Sequence, residues 1–140
     1  MTESEAETFV KRFEEAWAAR EGSMFLDLWH PEGNLHSPFY DRVILGQELA
    51  ALNDFQRAAA PNLTWKLVGW TWREDTVVVE WENSNTYGER LVKWRGVDKF
   101  TLREGRIVEE VVYADVSFLH GLRAGKPLEP LLRLPQGSPV

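Results

Sequence analysis

The chain has no cysteine in 140 residues, which excludes disulfide staples, thiolate zinc sites and cysteine-held iron–sulfur clusters. Histidine is scarce too: His30, His36 and His120 show neither the i, i+4 pair nor a carboxylate ligand pattern beside them. No metal and no cofactor is therefore expected. Basic residues number 16 against 22 acidic ones, a net charge of −6, and no run of Lys or Arg occurs. Phosphate binding relies on clustered cations, so a nucleic-acid partner is not expected. Long apolar runs are also missing, since none approaches the ~20 residues that a bilayer-spanning helix needs. The first residues, MTESEAETFVKRF, are acidic and lack the basic-then-apolar layout of a secretory signal. These absences together predict a cytoplasmic protein with no membrane partner.

What the chain has in abundance is tryptophan. Seven Trp beside seven Phe and three Tyr are more flat side chains than one core of this size requires, and such residues also line ligand pockets. The length suits a single domain with one site.

Ala6, Phe9, Val10, Phe13 and Trp17 recur at helical spacing opposite Lys11, Arg12, Glu14 and Glu15, which predicts an amphipathic helix over 4–20. Gly22 and Ser23 end it and cap a short second helix through Phe25, Leu28 and Trp29 that stops before Pro31. His30 then reads as a helix-end residue near terminal carbonyls. A brief strand is expected over 34–39 and a third helix over 47–60, broken by Pro61. Beyond it the period becomes two. Strands through Leu63, Trp65 and Leu67, then over 76–87, 90–103 and 106–113, joined at Glu74-Asp75, Gly88-Glu89 and Glu104-Gly105, form an antiparallel meander. Helices followed by four strands make an α+β layout with helices on one face of a sheet. Four prolines after Arg123 predict a tail over 123–140 that is extended, touching the body or a partner subunit through Leu128, Leu131, Leu132 and Leu134, or simply frayed, and leave a domain over 1–122.

This element order, with the phrases LHSPF, LGQELAAL and VDKFTLREGRIVEEVVYAD, resembles the nuclear transport factor 2-like superfamily, and within it the SnoaL-like cyclases and ketosteroid isomerases. The resemblance implies an α+β cone, three N-terminal helices on a curved and mostly antiparallel sheet, and a homodimer packed through that sheet. It also allows the family's functional positions to be read across. The isomerase tyrosine falls on Phe13, the aspartate base before Pro-Phe falls on Ser37, and the aspartate held protonated by apolar surroundings falls on Asp98. In the cyclases a histidine stands at the Asp98 position and the catalytic aspartate falls on Val112. A limonene-epoxide hydrolase would need an Arg-x-Asp pair where Trp81-Glu82-Asn83 stands and an aspartate at Val112.

The residues that remain for chemistry are carboxylates. Asp98 is spaced by two from Gly96 and Phe100 and by four from Trp94, so alternation points it into the same interior as those aromatics. By the same parity Val108, Glu110, Val112 and Ala114 share one face of the last strand, and Glu110 can approach Asp98 from the neighbouring strand. A one-residue slip would put Glu109 there instead, and Asp98 has a surface alternative, pairing with Lys93, Arg95 or Lys99. Two acids in an apolar pocket resist double ionisation, which equips one as acid and the other as base. Alternation admits either His36 or Ser37 to the interior, and the resemblance favours Ser37. A triad of Ser37, His120 and Asp115 lacks a nucleophile elbow and is rejected, and Asp115 is read as ending the last strand. Phe13, Trp17, Trp29, Trp81 and Trp94 are expected to wall the pocket, with Asn83 and Ser37 as orienting groups. The resulting expectation is a cofactor-independent SnoaL-like enzyme acting on a small hydrophobic molecule. Its alternatives are a binding module without chemistry and a dimer whose cone is plugged by tryptophan.

Overall fold

A computed structural model describes residues 1–132 of the chain. Helix α1 spans Glu3–Ala19, opened by a capping box in which Thr2 Oγ1 accepts from the Glu5 N–H at 3.2 Å and Glu5 Oε2 accepts from the Thr2 N–H at 2.6 Å. Its apolar stripe buries Ala6, Phe9, Val10, Phe13 and Ala16. A single 3-10 turn, Gly22–Phe25, follows, and strand β1 runs over Trp29–His36. Here the expected second helix is corrected. Trp29, His30 and Pro31 lie in a strand, not at a helix end, and Ser37, Pro38 and Phe39 lie beyond it. Pairing of β1 with the last strand is interrupted between Trp29 and Asn34, and in that irregular stretch Pro31 needs no partner for a missing N–H.

Strand β2 is only Ile44–Leu45, and after a 3-10 turn at Gly46–Glu48 helix α2 covers Leu49–Ala59. The meander is β3 (Thr64–Arg73), β4 (Thr76–Tyr87), β5 (Arg90–Arg103) and β6 (Arg106–Ala114). All six strands form one sheet in the order β2-β1-β6-β5-β4-β3, antiparallel except where β1 meets β6. The β5–β6 reversal has Glu104 at φ 52° and Gly105 at φ 75°, the positive values that a two-residue hairpin matched to strand twist requires. Helices α1 and α2 cover the concave face, where Phe13 packs edge-on against Phe100 at 4.9 Å, Trp65 at 5.5 Å and Phe25 at 6.0 Å. This is the expected α+β cone with its helical elements on a curved, mostly antiparallel sheet.

The C-terminal region differs from expectation. Helix α3 covers Ser117–Arg123 and α4 covers Leu128–Leu132, so the segment around Leu128 and Leu131 is helical, not extended. Leu131 packs on Gly121, where even a single added carbon would press against its side chain. Leu134 lies outside the described residues. No helix among the described residues is long and apolar enough to cross a membrane.

Candidate active site

Strands β4, β5 and β6 turn alternate residues into the cone. On β4 these are Trp81, Asn83 and Asn85, all buried, and on β5 they include Gly96, Asp98 and Phe100, also buried. Gly96 stands directly opposite Trp81, and a side chain there would collide with the indole. The missing side chain is what leaves room for the ring against β5.

On β6 the facing is set by a bulge. Thr101 pairs with Glu109 but Leu102 pairs with Ile107, so Val108 is the extra residue and both Ile107 and Glu110 turn inward although three residues apart. The predicted common face of Val108 and Glu110 is corrected accordingly. Glu110 is 7% exposed and Asp98 4%, while Glu109 lies on the exposed side. Phe100 is the direct partner of Glu110 and Val112 that of Asp98, which makes the two carboxyls diagonal neighbours across the β5–β6 pair.

Burial dominates the ionisation of both acids. It pushes Asp98 up to about 7, opposed by the nearby Trp81 indole and the Glu110 carboxyl. Glu110 is held well above the carboxylate range, first by burial and then by the charge of Asp98. These groups approach one another without closing their hydrogen bonds: Trp81 Nε1 and Asp98 Oδ1 are buried with no partner among the described residues, as are Asn83 Oδ1 and Trp17 Nε1. Each buried unmet polar atom costs roughly 1–3 kcal/mol, and a ligand carrying polar groups would offset that cost.

Of the residues singled out from sequence, Phe13, Trp17, Trp29, Ser37, Trp81, Asn83, Asp98, Glu110 and Val112 line one pocket. Trp94 does not, and the expectation is corrected: it packs edge-on against Phe118 at 5.3 Å and lines a neighbouring chamber. Opposite Asn83, its β5 partner is Trp94 and its β3 partner is Trp65. Trp65 stacks on Trp17 at 5.8 Å and narrows the pocket. The free volume is about 100 Å³, below the ~300–1,000 Å³ of ordinary small-molecule sites, so the space beside the acids suits a single ring or short chain.

Sequence reasoning missed Tyr40, Trp65, Asn53 and Gln56, which also line the pocket. Trp65 carried a usable signal in its alternation with Thr64 and Lys66. Tyr40 carried none, because it sits in the turn after β1 where no periodicity applies. Burial raises the Tyr40 hydroxyl above its ordinary pKa, with the charge of Arg123 opposing and that of Glu110 reinforcing the shift.

The histidines stay outside. His36 is exposed, and His120 Nε2 lies 2.7 Å from the Pro38 carbonyl oxygen. Asp115 Oδ1 accepts from the Ser117 N–H at 3.0 Å and its hydroxyl at 2.7 Å, so it opens α3 and meets neither His120 nor Ser37. No group of three His, Cys, Asp or Glu side chains suited to a metal exists among the described residues.

No match was found among curated proteins. Solved structures similar to this chain include AclR, a candidate hydroxylase from Streptomyces galilaeus, with TM-score 0.70 and 19% identity over 89% of this chain and 98% of that one. A candidate SnoaL-like polyketide cyclase from a Jannaschia species gives TM-score 0.71 and 18% identity over 89% and 94% of the two chains. IdmH, a candidate polyketide cyclase from Streptomyces antibioticus, gives 0.70 and 18% over 84% and 98%. At these identities the likeness speaks for the fold. A SnoaL-like domain model matches residues 10–110, most of the chain, and the protein belongs to the SnoaL-like family.

Proposed function

We propose that this protein is an enzyme doing acid–base chemistry, such as isomerisation, cyclisation, dehydration or epoxide opening, on a small hydrophobic molecule, with its own side chains moving the proton. The observation that carries the reading is the pair of buried carboxyls, Asp98 and Glu110, in one apolar pocket with both pKa values raised. Near neutral pH the pair keeps at least one proton. Glu110 is the last to ionise and is the donor in this reading, whereas Asp98, near the operating pH, takes and returns a proton efficiently. Asn83 and the Trp81 indole supply hydrogen bonds that orient a substrate oxygen, and Tyr40 lines the same pocket from the turn after β1.

The familiar alternatives find no support in the side chains. Phe13 has no hydroxyl, Ser37 Oγ accepts from the Phe39 N–H at 3.2 Å, and Val112 cannot ionise. These replacements favour a second reading, a binding module without turnover. Incubation in D₂O with small terpenoids and single-ring aromatic ketones, followed by NMR, separates the two. Proton exchange or conversion is expected for a subset, with loss of ~10²- to 10⁴-fold in Asp98→Asn while quenching of tryptophan fluorescence by the same ligand persists. Binding with no conversion by either form would leave the binding module, and equal conversion by both would take Asp98 out of the chemistry.

A homodimer is part of the proposal. On the outer sheet face Tyr113, 59% exposed, stands directly opposite Val97, and light scattering on the purified protein gives the mass directly.

A further inference from the structure

A second chamber of about 330 Å³ opens beside the acid pocket, and Phe39, Tyr40, Leu52 and Gln56 line both cavities. The two therefore meet at one wall. Their charge differs in sign. Among the described residues the charged groups lining the pocket are Asp98 and Glu110, whereas the charged group lining the chamber is Arg123, in the last turn of α3. Arg123 is exposed and its Nη1 donates to the Phe39 carbonyl at 3.2 Å, which aims the guanidinium at the chamber's rim. No carboxylate pairs with it among the described residues. A guanidinium has five N–H donors in a flat fork, a shape matched to carboxylate.

The walls between these charges are continuous. Asn83 lies in the pocket and Asn85, 7% exposed, in the chamber, about 7 Å apart as residues two apart on a strand must be. Trp94 from β5 and Leu119 from α3 add apolar surface, and Phe55, 74% exposed, stands at the opening.

We propose that the two cavities are one binding site for an elongated amphipathic carboxylate, whose neutral flat head enters the acid pocket and whose anionic end pairs with Arg123 at the chamber's mouth. The orientation follows from charge. A carboxylate pushed toward Asp98 and Glu110 meets like charge in a poorly screened interior, while one left at the rim meets the cation. The end that reacts is then the uncharged one. This rests on the reading of the acid pocket as a ligand site.

The test uses 6-phenylhexanoate and its primary amide, equal in shape and different in charge, titrated by tryptophan fluorescence at pH 7.5 and low salt. The acid is expected to bind about 10-fold tighter than the amide, the worth of a charged hydrogen-bonded pair. Arg123→Gln is expected to bring the two within about twofold, and Arg123→Lys to retain most of the preference. An unchanged thermal melt shows that α3 remains docked in Arg123→Gln. Equal binding of acid and amide, a preference that survives in Arg123→Gln, or no binding of either compound would each overturn the proposal. None of these outcomes touches the acid–base reading, which the exchange experiment with Asp98→Asn decides without any carboxylate ligand.

Discussion

The two faces of the same three strands treat their acids in opposite ways. On the outer face Glu80 and Glu82 flank Arg95 at 3.6 and 3.3 Å, with side chains 48%, 24% and 61% exposed. On the inner face, within a few residues, Asp98 and Glu110 have no cation beside them and are almost wholly buried, and burial raises the pKa of each. All four are acids in long β-strands. What separates them is the side of the sheet to which the pleat sends them, and with it access to water. Solvent screens the outer charges and leaves their pairs worth ~0–1 kcal/mol, whereas burial on the inner side moves a pKa by units.

The largest test of this contrast is the pH dependence of stability. An acid whose pKa is raised by folding favours the folded state below its unfolded value and loses that advantage as pH rises to its folded value. For Asp98 the window runs from near 4 to about 7, so the wild type should weaken across it. Asp98→Asn should be the more stable protein at pH 9, by on the order of 3 kcal/mol, and should show little gain at pH 4. Urea denaturation across pH reads both limits, and carboxyl NMR should find the Glu110 pKa lowered in the variant once the Asp98 charge is gone.

Next in size is Gly96→Val. The new side chain meets the Trp81 ring, with a loss of about 2 kcal/mol from overpacking and a shift in tryptophan emission. A neutral outcome would mean that the indole does not need the space above β5. On the outer face, Arg95→Ala should cost at most about 1 kcal/mol and that difference should shrink in 0.5 M salt. Smallest of all is Glu109→Gln. One residue from Glu110 but on the opposite face, it should leave stability within ~0.5 kcal/mol at any pH, and a pH-dependent effect like that of Asp98→Asn would invalidate the assignment of faces.

Much of the architecture was legible where local causes act. The α1 stripe from Ala6 to Trp17 and the turns at Glu74-Asp75 and Glu104-Gly105 have causes in short stretches of chain, and the elements lie where those stretches place them. Trp29 was misread because Phe25, Leu28 and Trp29 form a short apolar run before a proline, a pattern equally consistent with a helix end and with a strand. The decision came from β6, about 80 residues further along, with which β1 pairs in parallel. The tail was misread because four prolines suggest extension. Pro127 and Pro130 instead flank or enter a short helix that packs Leu131 onto Gly121, and α3, unforeseen, brings Leu119 and Arg123 to the second chamber.

The amino-acid pattern by itself determined the α+β order, the meander and the inward parity of Asp98 with Gly96 and Phe100, because helix and strand periods and turn chemistry are set by neighbours in the chain. Only the tertiary structure decided the rest. A bulge at Val108 chose Glu110 over Glu109, the β4–β5 register laid Trp81 over Gly96, and chain return put Tyr40 and Arg123 beside the acid pocket while moving Trp94 out of it. Those outcomes depend on contacts between segments far apart in sequence, whose geometry is fixed by how whole elements pack and not by any residue's immediate neighbours.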